Sequence, residues 1–157
     1  MTHKVMRLKP RTLPYTSVNK DTPSLERSVA AIKGMLQKFK CQQFNVHEDM
    51  RGEHPFITMR FERLGKIYMI EFPVTYLNDK LEMRIAGRIM FHYVKALLMA
   101  VELEYLDFSQ TMMGFRALPR PDGSMITLQE AYDVAGDTLP AAGFDIRLAL
   151  PRGGDHD

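Results

Sequence analysis

The sequence predicts an α+β protein in which an antiparallel sheet of three or more strands packs on a long central helix. Three observations support this fold class. Apolar residues recur at helical spacing over 25–39, they alternate with polar residues over 56–72, and they dominate a long helical segment over 84–105. The resulting order of elements is αβββα-like, and a short helix and a strand are predicted after it.

The length and composition of the chain favour one domain. The chain has 157 residues, of which 45% are hydrophobic, and this is enough for one core of ordinary size. We assign residues 22–150 to the domain, residues 1–21 to an extended basic arm and residues 151–157 to a disordered tail. The formal net charge is only +2, so any basic binding surface must be local.

Cysteine usage and hydropathy bound the setting of the protein. Cys41 is the single cysteine, which excludes an intramolecular disulfide and a multi-cysteine metal site. We expect it to be a small buried residue. No apolar run reaches the roughly 18 residues of a membrane span, and the N-terminus lacks the apolar core of a secretory signal. We therefore expect a soluble cytoplasmic protein without a membrane partner.

The N-terminal arm is basic. Five cations and no acidic residue precede Asp21, and two prolines among them favour an extended chain. The cations are Lys4, Arg7, Lys9, Arg11 and Lys20. Such an arm can contact phosphates. It can equally be a solvated leader or a strand that pairs with the rest of the domain.

The first predicted helix follows this arm. Thr22 is a suitable N-cap, and Pro23 suits the first helical position. An apolar stripe at steps of four and three predicts a helix that ends near Lys40. The stripe consists of Leu25, Val29, Ile32, Leu36 and Phe39.

Alternating side chains predict three strands. Phe44 and Val46 indicate a short strand, and a polar loop over 48–55 follows it. The segment ITMRF alternates apolar and polar residues, and the partner segment IYMIEFPV returns after a turn at Leu64 and Gly65. These two segments predict a β-hairpin.

The long helix carries charges inside an apolar run. Asn78 or Asp79 can cap it, since Asp79 and Glu82 have the spacing of a capping box. A projection at 100° per residue places four charged residues within about 40° of one another. We call this set the charged seam: Arg84, Arg88, Lys95 and Glu102.

We expect the seam to be the only solvent-facing side of the long helix. The opposite arc should then be buried against the sheet and against further chain or a second subunit, which makes a homodimer plausible. That arc holds Ile89, Met90, Tyr93, Ala96, Leu97, Ala100 and Val101.

Shorter elements are predicted after the long helix. A short helix or turn should end at Gly114, and two short strands should flank a turn at 121–123. Thr127 and Glu130 have capping-box spacing and predict a helix through residue 134. The alternation in FDIRLAL, residues 144–150, predicts a last strand.

The sequence contains no catalytic motif. It has no nucleophile elbow, phosphate-binding glycine loop or dinucleotide fingerprint. Histidines and acids between residues 47 and 54 lack a dense metal-ligand spacing, and we interpret them as a solvated loop. His92, beside the seam, is interpreted as a structural residue. We expect no catalytic residue, metal or cofactor, and therefore no enzymatic activity.

Three segments together resemble small, mostly uncharacterised proteins encoded by bacteriophages and prophages. The matching positions are Arg27-Ser28 in the first helix, Lys95-Ala96 in the long helix and Pro121-Asp122-Gly123 in the late turn. The resemblance covers residues 27 to about 131. It implies a mobile element acting in a bacterial cytoplasm, and it implies no catalytic residues.

Three functions remain open at this point. The first is a nucleic-acid-binding accessory protein, with phosphate contacts from the arm and the seam. Its contact residues would be Lys4, Arg7, Lys9, Arg11, Arg84, Arg88 and Lys95. The second is a protein-binding inhibitor or modulator of a host defence enzyme. The third is a small-molecule-binding module or enzyme, which requires a pocket of convergent polar groups; a pocket around His92, Tyr93 and Glu71 would favour it.

Overall fold

The computed structural model describes residues 6–8, 18–77 and 80–135, and it confirms the α+β class. The helices are α1 (Leu25–Lys38), α2 (Met83–Glu102), α3 (Phe108–Thr111) and α4 (Leu128–Ala135), with a 3₁₀ turn at Met113–Phe115. The strands are β1 (Met6–Leu8), β2 (Gln42–Asp49), β3 (Phe56–Arg63), β4 (Lys66–Pro73), β5 (Thr75–Leu77), β6 (Lys80–Leu81), β7 (Ala117–Pro119) and β8 (Met125–Thr127).

The main sheet is the predicted antiparallel one, in the order β2-β3-β4. The hairpin of β3 and β4 is confirmed, and its turn residues Leu64 and Gly65 both have positive φ, 51° and 73°. Val46, Met59 and Ile70 lie in register across the three strands. Because side chains alternate along a strand, these three mark one apolar face of the sheet.

Helices α1 and α2 pack together with this face into one core. Ile32 of α1 and Met90 of α2 are fully buried, as is Met59 of β3. Aromatic residues close the end of the core near the hairpin turn, where Phe61 stacks on Tyr68 and Phe108 meets both ring edges. Such ring pairs stabilise a core beyond the area they bury.

Helix α1 begins two residues later than the sequence predicts. Its N-cap is Ser24, whose Oγ accepts the backbone N–H of Arg27, and the prediction of Thr22 was wrong. Thr22 instead closes a turn with Asn19, in which the backbone N–H of Asn19 donates to the Thr22 Oγ1. The hydroxyl of Thr22 is therefore committed before the helix starts.

Helix α2 begins at Met83, later than the predicted capping box requires. Its N-cap is Glu82, which accepts the backbone N–H of Arg84. The capping box was wrong because residues 80–81 form strand β6, paired with β5, and a helix cannot include them. Strand β1 pairs parallel to β5 and completes a second sheet, β1-β5-β6. Of the alternatives left open for the arm, residues 6–8 thus form a strand that pairs with the domain.

The predicted late strands and the helix after them are confirmed, whereas the 3₁₀ turn at Met113–Phe115 runs through Gly114, where the sequence predicts an end. Strands β7 and β8 flank the turn at 121–123, and Thr127 and Glu130 form the expected reciprocal hydrogen bonds at the start of α4. Arg116 forms an isolated bridge with Tyr68, which joins this region to the edge of β4. The predicted strand at 144–150 and the tail at 151–157 lie outside the described residues.

Candidate functional site

The second sheet brings residues 6–8 of the basic arm near the start of α2. Arg7 of β1 is in register with Tyr76 of β5, and Tyr76 is in register with Leu81 of β6. Strands are about 4.8 Å apart, so the backbone of Arg7 lies about 10 Å from that of Leu81. Arg84 follows Leu81 by three residues. Lys4, Lys9 and Arg11 lie outside the described residues.

The side chain of Arg84, the first residue of the charged seam, is held by Glu82, the N-cap residue of α2. Its Nε and one terminal nitrogen donate to the two carboxylate oxygens of Glu82, at 3.0 and 3.3 Å. The hydrogen bonds from Arg84 hold the pKa of the Glu82 carboxyl below its usual range. The Arg84 side chain is 43% exposed, so it is oriented by Glu82 while still accessible to solvent.

Arg88, one turn later in α2, is hydrogen-bonded to Thr22, which directly follows the arm. A terminal nitrogen of its guanidinium donates to Thr22 Oγ1 at 3.2 Å. Thr22 is buried and Arg88 is half-buried. Arg84 and Arg88 are thus gathered with the end of the arm at one end of the molecule.

Lys95 and Glu102 lie at the other end of α2. Lys95 is exposed, and its ammonium lies 5.9 Å from the ring centroid of Phe91. Both residues border a groove of about 420 Å³ between the C-terminal parts of α1 and α2. Its lining is Met35, Lys38, Phe39, Lys95, Leu98, Met99 and Glu102. The structure therefore divides the seam between two ends of the helix.

The expectation that the seam is the only solvent-facing side of α2 was wrong. Tyr93 is 43% exposed, Met99 is 47% exposed, and Ala96 is also exposed. The buried face is centred on Met90, Val94 and Leu98, because α1 and the sheet cover that flank. Of the predicted buried arc, Tyr93 and Ala96 thus lie open, whereas Leu97 and Val101 are partly buried against the core.

These exposed apolar side chains were not predicted from the sequence. Leu103 is 57% exposed and continues the surface beyond the end of α2, as do Tyr105 and Leu106. The spacing of Ala96, Met99 and Leu103 was a usable signal. The projection alone could not show which of two apolar flanks meets the sheet, because nearly every side of the helix carries apolar residues.

The described residues offer little for covalent or metal chemistry. Burial raises the pKa of the Cys41 thiol from 9.0 to about 11, against the opposing charge of Arg63, so the thiolate nucleophile is scarce at neutral pH. No group of three or more His, Cys, Asp or Glu among the residues that the structure describes could hold a metal ion. Within the same residues, no helix is long and apolar enough to cross a bilayer.

A cleft near Glu71 does not assemble the pocket that a small-molecule site requires. It has a volume of about 180 Å³ and is lined by neither His92 nor Tyr93. Ligand pockets for molecules of drug size usually have about 300–1,000 Å³. Tyr93 instead packs edge-on against Phe72 and Phe115, and this burial raises the pKa of its hydroxyl.

Comparisons with known proteins give no match. No protein-family model matches the chain, and no curated protein or solved structure does so. The fold and the geometry of the described residues carry the functional argument.

Proposed function

We propose that this chain is a non-enzymatic accessory protein, encoded by a phage or another mobile element, that binds nucleic acid through its basic N-terminal end. One observation carries the proposal. The pairing of β1 with β5 sets residues 6–8 of the arm, Arg7 among them, in the same sheet as the segment that leads into Arg84 and Arg88.

The charge at this end of the molecule favours a polyanionic partner. The first 20 residues hold five cations and no acid, and the first turns of α2 add two arginines against Glu82. Arginine binds phosphate with paired donors, and each neutralised phosphate releases counterions. Lys95 lies 11 residues beyond Arg84, about 16 Å along the helix, so we leave it out of this phosphate-binding set.

The orientation of the two seam arginines supports this interface. Arg84 is fixed by Glu82, and Arg88 is fixed by Thr22, so neither guanidinium has to be ordered from a fully flexible state on binding. Reduced loss of side-chain entropy strengthens binding. The arm supplies most of the positive charge, and α2 supplies two arginine side chains that are already held in place.

The test is a fluorescence anisotropy titration with labelled single- and double-stranded DNA and RNA at about 50 and 200 mM salt. The wild type should bind at least one of the four, more weakly at the higher salt. Replacing the four arm cations Lys4, Arg7, Lys9 and Arg11 with serine should weaken binding. On duplex DNA, the salt slope should fall by about 0.9 for each phosphate contact removed.

A matched control separates contact from overall charge. The pair R84Q and R88Q should weaken binding, whereas R51Q and R120Q, which remove the same charge from exposed loops, should not. Melting temperatures of both double variants check that the fold is intact. Absence of binding to all four nucleic acids, or an equal loss in the control pair, would overturn the proposal.

A protein partner is the second candidate, and exposed apolar side chains favour it. Tyr105 and Met113 are largely exposed in the segment after α2, and exposed aromatic and methionine side chains are enriched at protein interfaces. A modulator of a host enzyme would form a complex that salt does not dissociate. Co-elution with a purified host enzyme in high salt, together with no nucleic-acid binding, would favour this candidate over the first.

A further inference from the structure

An exposed stripe along the second half of α2 has the spacing of a helix-pairing surface. His92, Ala96, Met99 and Leu103 recur at steps of four, three and four, which is the heptad pattern of paired helices. Ala96 is exposed and His92 half-buried, while Met99 and Leu103 expose about half of their surface. Small and flexible residues at such positions allow a second helix to approach closely.

Two charges flank this stripe on the same side. Lys95 and Glu102 lie within about 20° of each other around the helix, but they are seven residues apart, about 10 Å along the axis. An ion pair within one helix needs a spacing of three or four residues. Accordingly, neither residue forms an ion pair with another described residue.

We propose that a second copy of this chain docks on the stripe, with the two α2 helices antiparallel across a two-fold axis near Met99. In such a pair, a residue that precedes the axis by a given number of positions faces, in the other copy, the residue that follows the axis by the same number. Lys95 then faces Glu102 of the second copy, and Glu102 faces Lys95 of the second copy. Lys95 and Glu102 cannot pair with each other within one helix, but they form two ion pairs between the two copies.

The position of the charges selects the antiparallel arrangement. Two antiparallel helices related by a two-fold axis bring the same flank of each helix together, so Lys95 and Glu102 meet. A parallel pair would bring opposite flanks together and set Lys95 against the flank of Tyr93 and Ala100, which carries no acid. Charges beside a helix seam determine partner and orientation in this way.

The test is the mass of the full chain by sedimentation velocity over roughly 1–300 µM, a range chosen because an interface of one helix face is small and should give micromolar affinity. The wild type should convert from monomer to dimer as the concentration rises. Each single reversal, K95E or E102K, sets like charges together twice and should weaken dimerisation at least tenfold. The combined K95E and E102K chain restores both pairs and should dimerise as the wild type does.

Cross-linking checks the position of the axis. In M99C, the two new thiols lie next to the axis and should form a disulfide between copies when a mild oxidant is added, whereas R51C should not. Cys41 is buried and does not interfere. A wild type that is monomeric at 300 µM, or single reversals that the double reversal does not rescue, would overturn the proposal. No nucleic acid is present in these measurements, so their outcome is independent of the proposed function.

Discussion

Gly87 of α2 lies tightly against Ser28 of α1. A Cβ atom on Gly87 would be 3.0 Å from both Cβ and Oγ of Ser28, and 3.3 Å from Cα of Leu25. The contact joins the N-terminal parts of the helices, whereas the groove beside Lys38 and Lys95 separates their C-terminal parts. The two helices thus diverge from a tight contact between small residues.

Gly87→Ala should destabilise the protein, although alanine is the better helix former. The helix-propensity gain of up to about 1 kcal/mol is outweighed by a steric cost of about 1–3 kcal/mol, since both the Ser28 side chain and the Leu25 backbone must move. Urea unfolding should show a net loss of about 1–2 kcal/mol.

Gly34→Ala is the matched control for this contact. Gly34 lies in α1, and a Cβ there would meet no atom within 4 Å. This substitution should raise the free energy of unfolding by about 0.5–1 kcal/mol, the ordinary difference between the two residues in a helix. Equal stabilisation by both substitutions would contradict the tight approach of α1 and α2.

Arg63, which lies on strand β3, should stabilise the C-terminal end of α1. Its Nε donates to the backbone oxygen of Phe39, the C-cap residue, at 2.9 Å, and its guanidinium lies 4.5 Å from the ring centroid of Phe108. Arg63→Gln should lower the free energy of unfolding by about 1–3 kcal/mol, since a charged hydrogen bond and a cation–π contact are both weakened. Arg60→Gln on the same strand is exposed and should change stability by less than about 0.5 kcal/mol. An equal effect of both substitutions in urea unfolding would contradict this role.

The sequence predicts those elements whose signals are local. The β3–β4 hairpin and the cap formed by Thr127 and Glu130 each depend on residues close together in the chain, and both were confirmed. The start of α2 was wrong because β6 is held by β5, which in turn pairs with β1, nearly 70 residues earlier. Local spacing contains no information about such a distant pairing.

In the candidate site, too, the features that depend on local sequence were predicted and those that depend on tertiary packing were not. The sequence alone identifies the four seam charges and their common flank, because this needs only helical geometry. Which flank of α2 is covered depends on how α1 and the sheet pack, and the projection gave the wrong answer for Tyr93 and Ala96. The arm cations remain a prediction.

Cys41 should make stability fall with rising pH in alkaline solution. Its folded-state pKa is raised from 9.0 to about 11, because burial disfavours the thiolate. Between these values the unfolded thiol ionises while the folded thiol keeps its proton, so unfolding releases a proton. The stabilisation is complete below pH 9 and is lost as the pH rises toward about 11.

Comparison with Cys41→Ala isolates this contribution from every other pH-dependent effect on stability. The variant should be less stable near pH 7 because of the cavity, but its stability should decline less steeply above pH 9. Urea unfolding at several pH values measures both slopes. Parallel slopes for the two proteins would show that the thiol is not protected from ionisation.

The two proposals together predict a preferred length of duplex. Arg84 and Arg88 lie 15 and 11 residues before Met99, on average 13, so a rise of 1.5 Å per residue sets the two basic ends about 39 Å apart. One turn of B-DNA is roughly 34 Å, and a dimer of this geometry can contact sites one turn apart. If the nucleic acid is duplex DNA, the wild type should bind about 20 base pairs at least tenfold more tightly than about 8 base pairs.

E102K provides the decisive comparison for this length preference. It adds two units of positive charge to each chain, so electrostatic attraction alone would tighten binding to both duplexes. Loss of the dimer should instead remove the preference for the longer duplex, and the chain that combines K95E with E102K should recover it. Anisotropy titrations with the two duplexes measure this preference, and an E102K chain that keeps it would show that a single copy makes all the contacts.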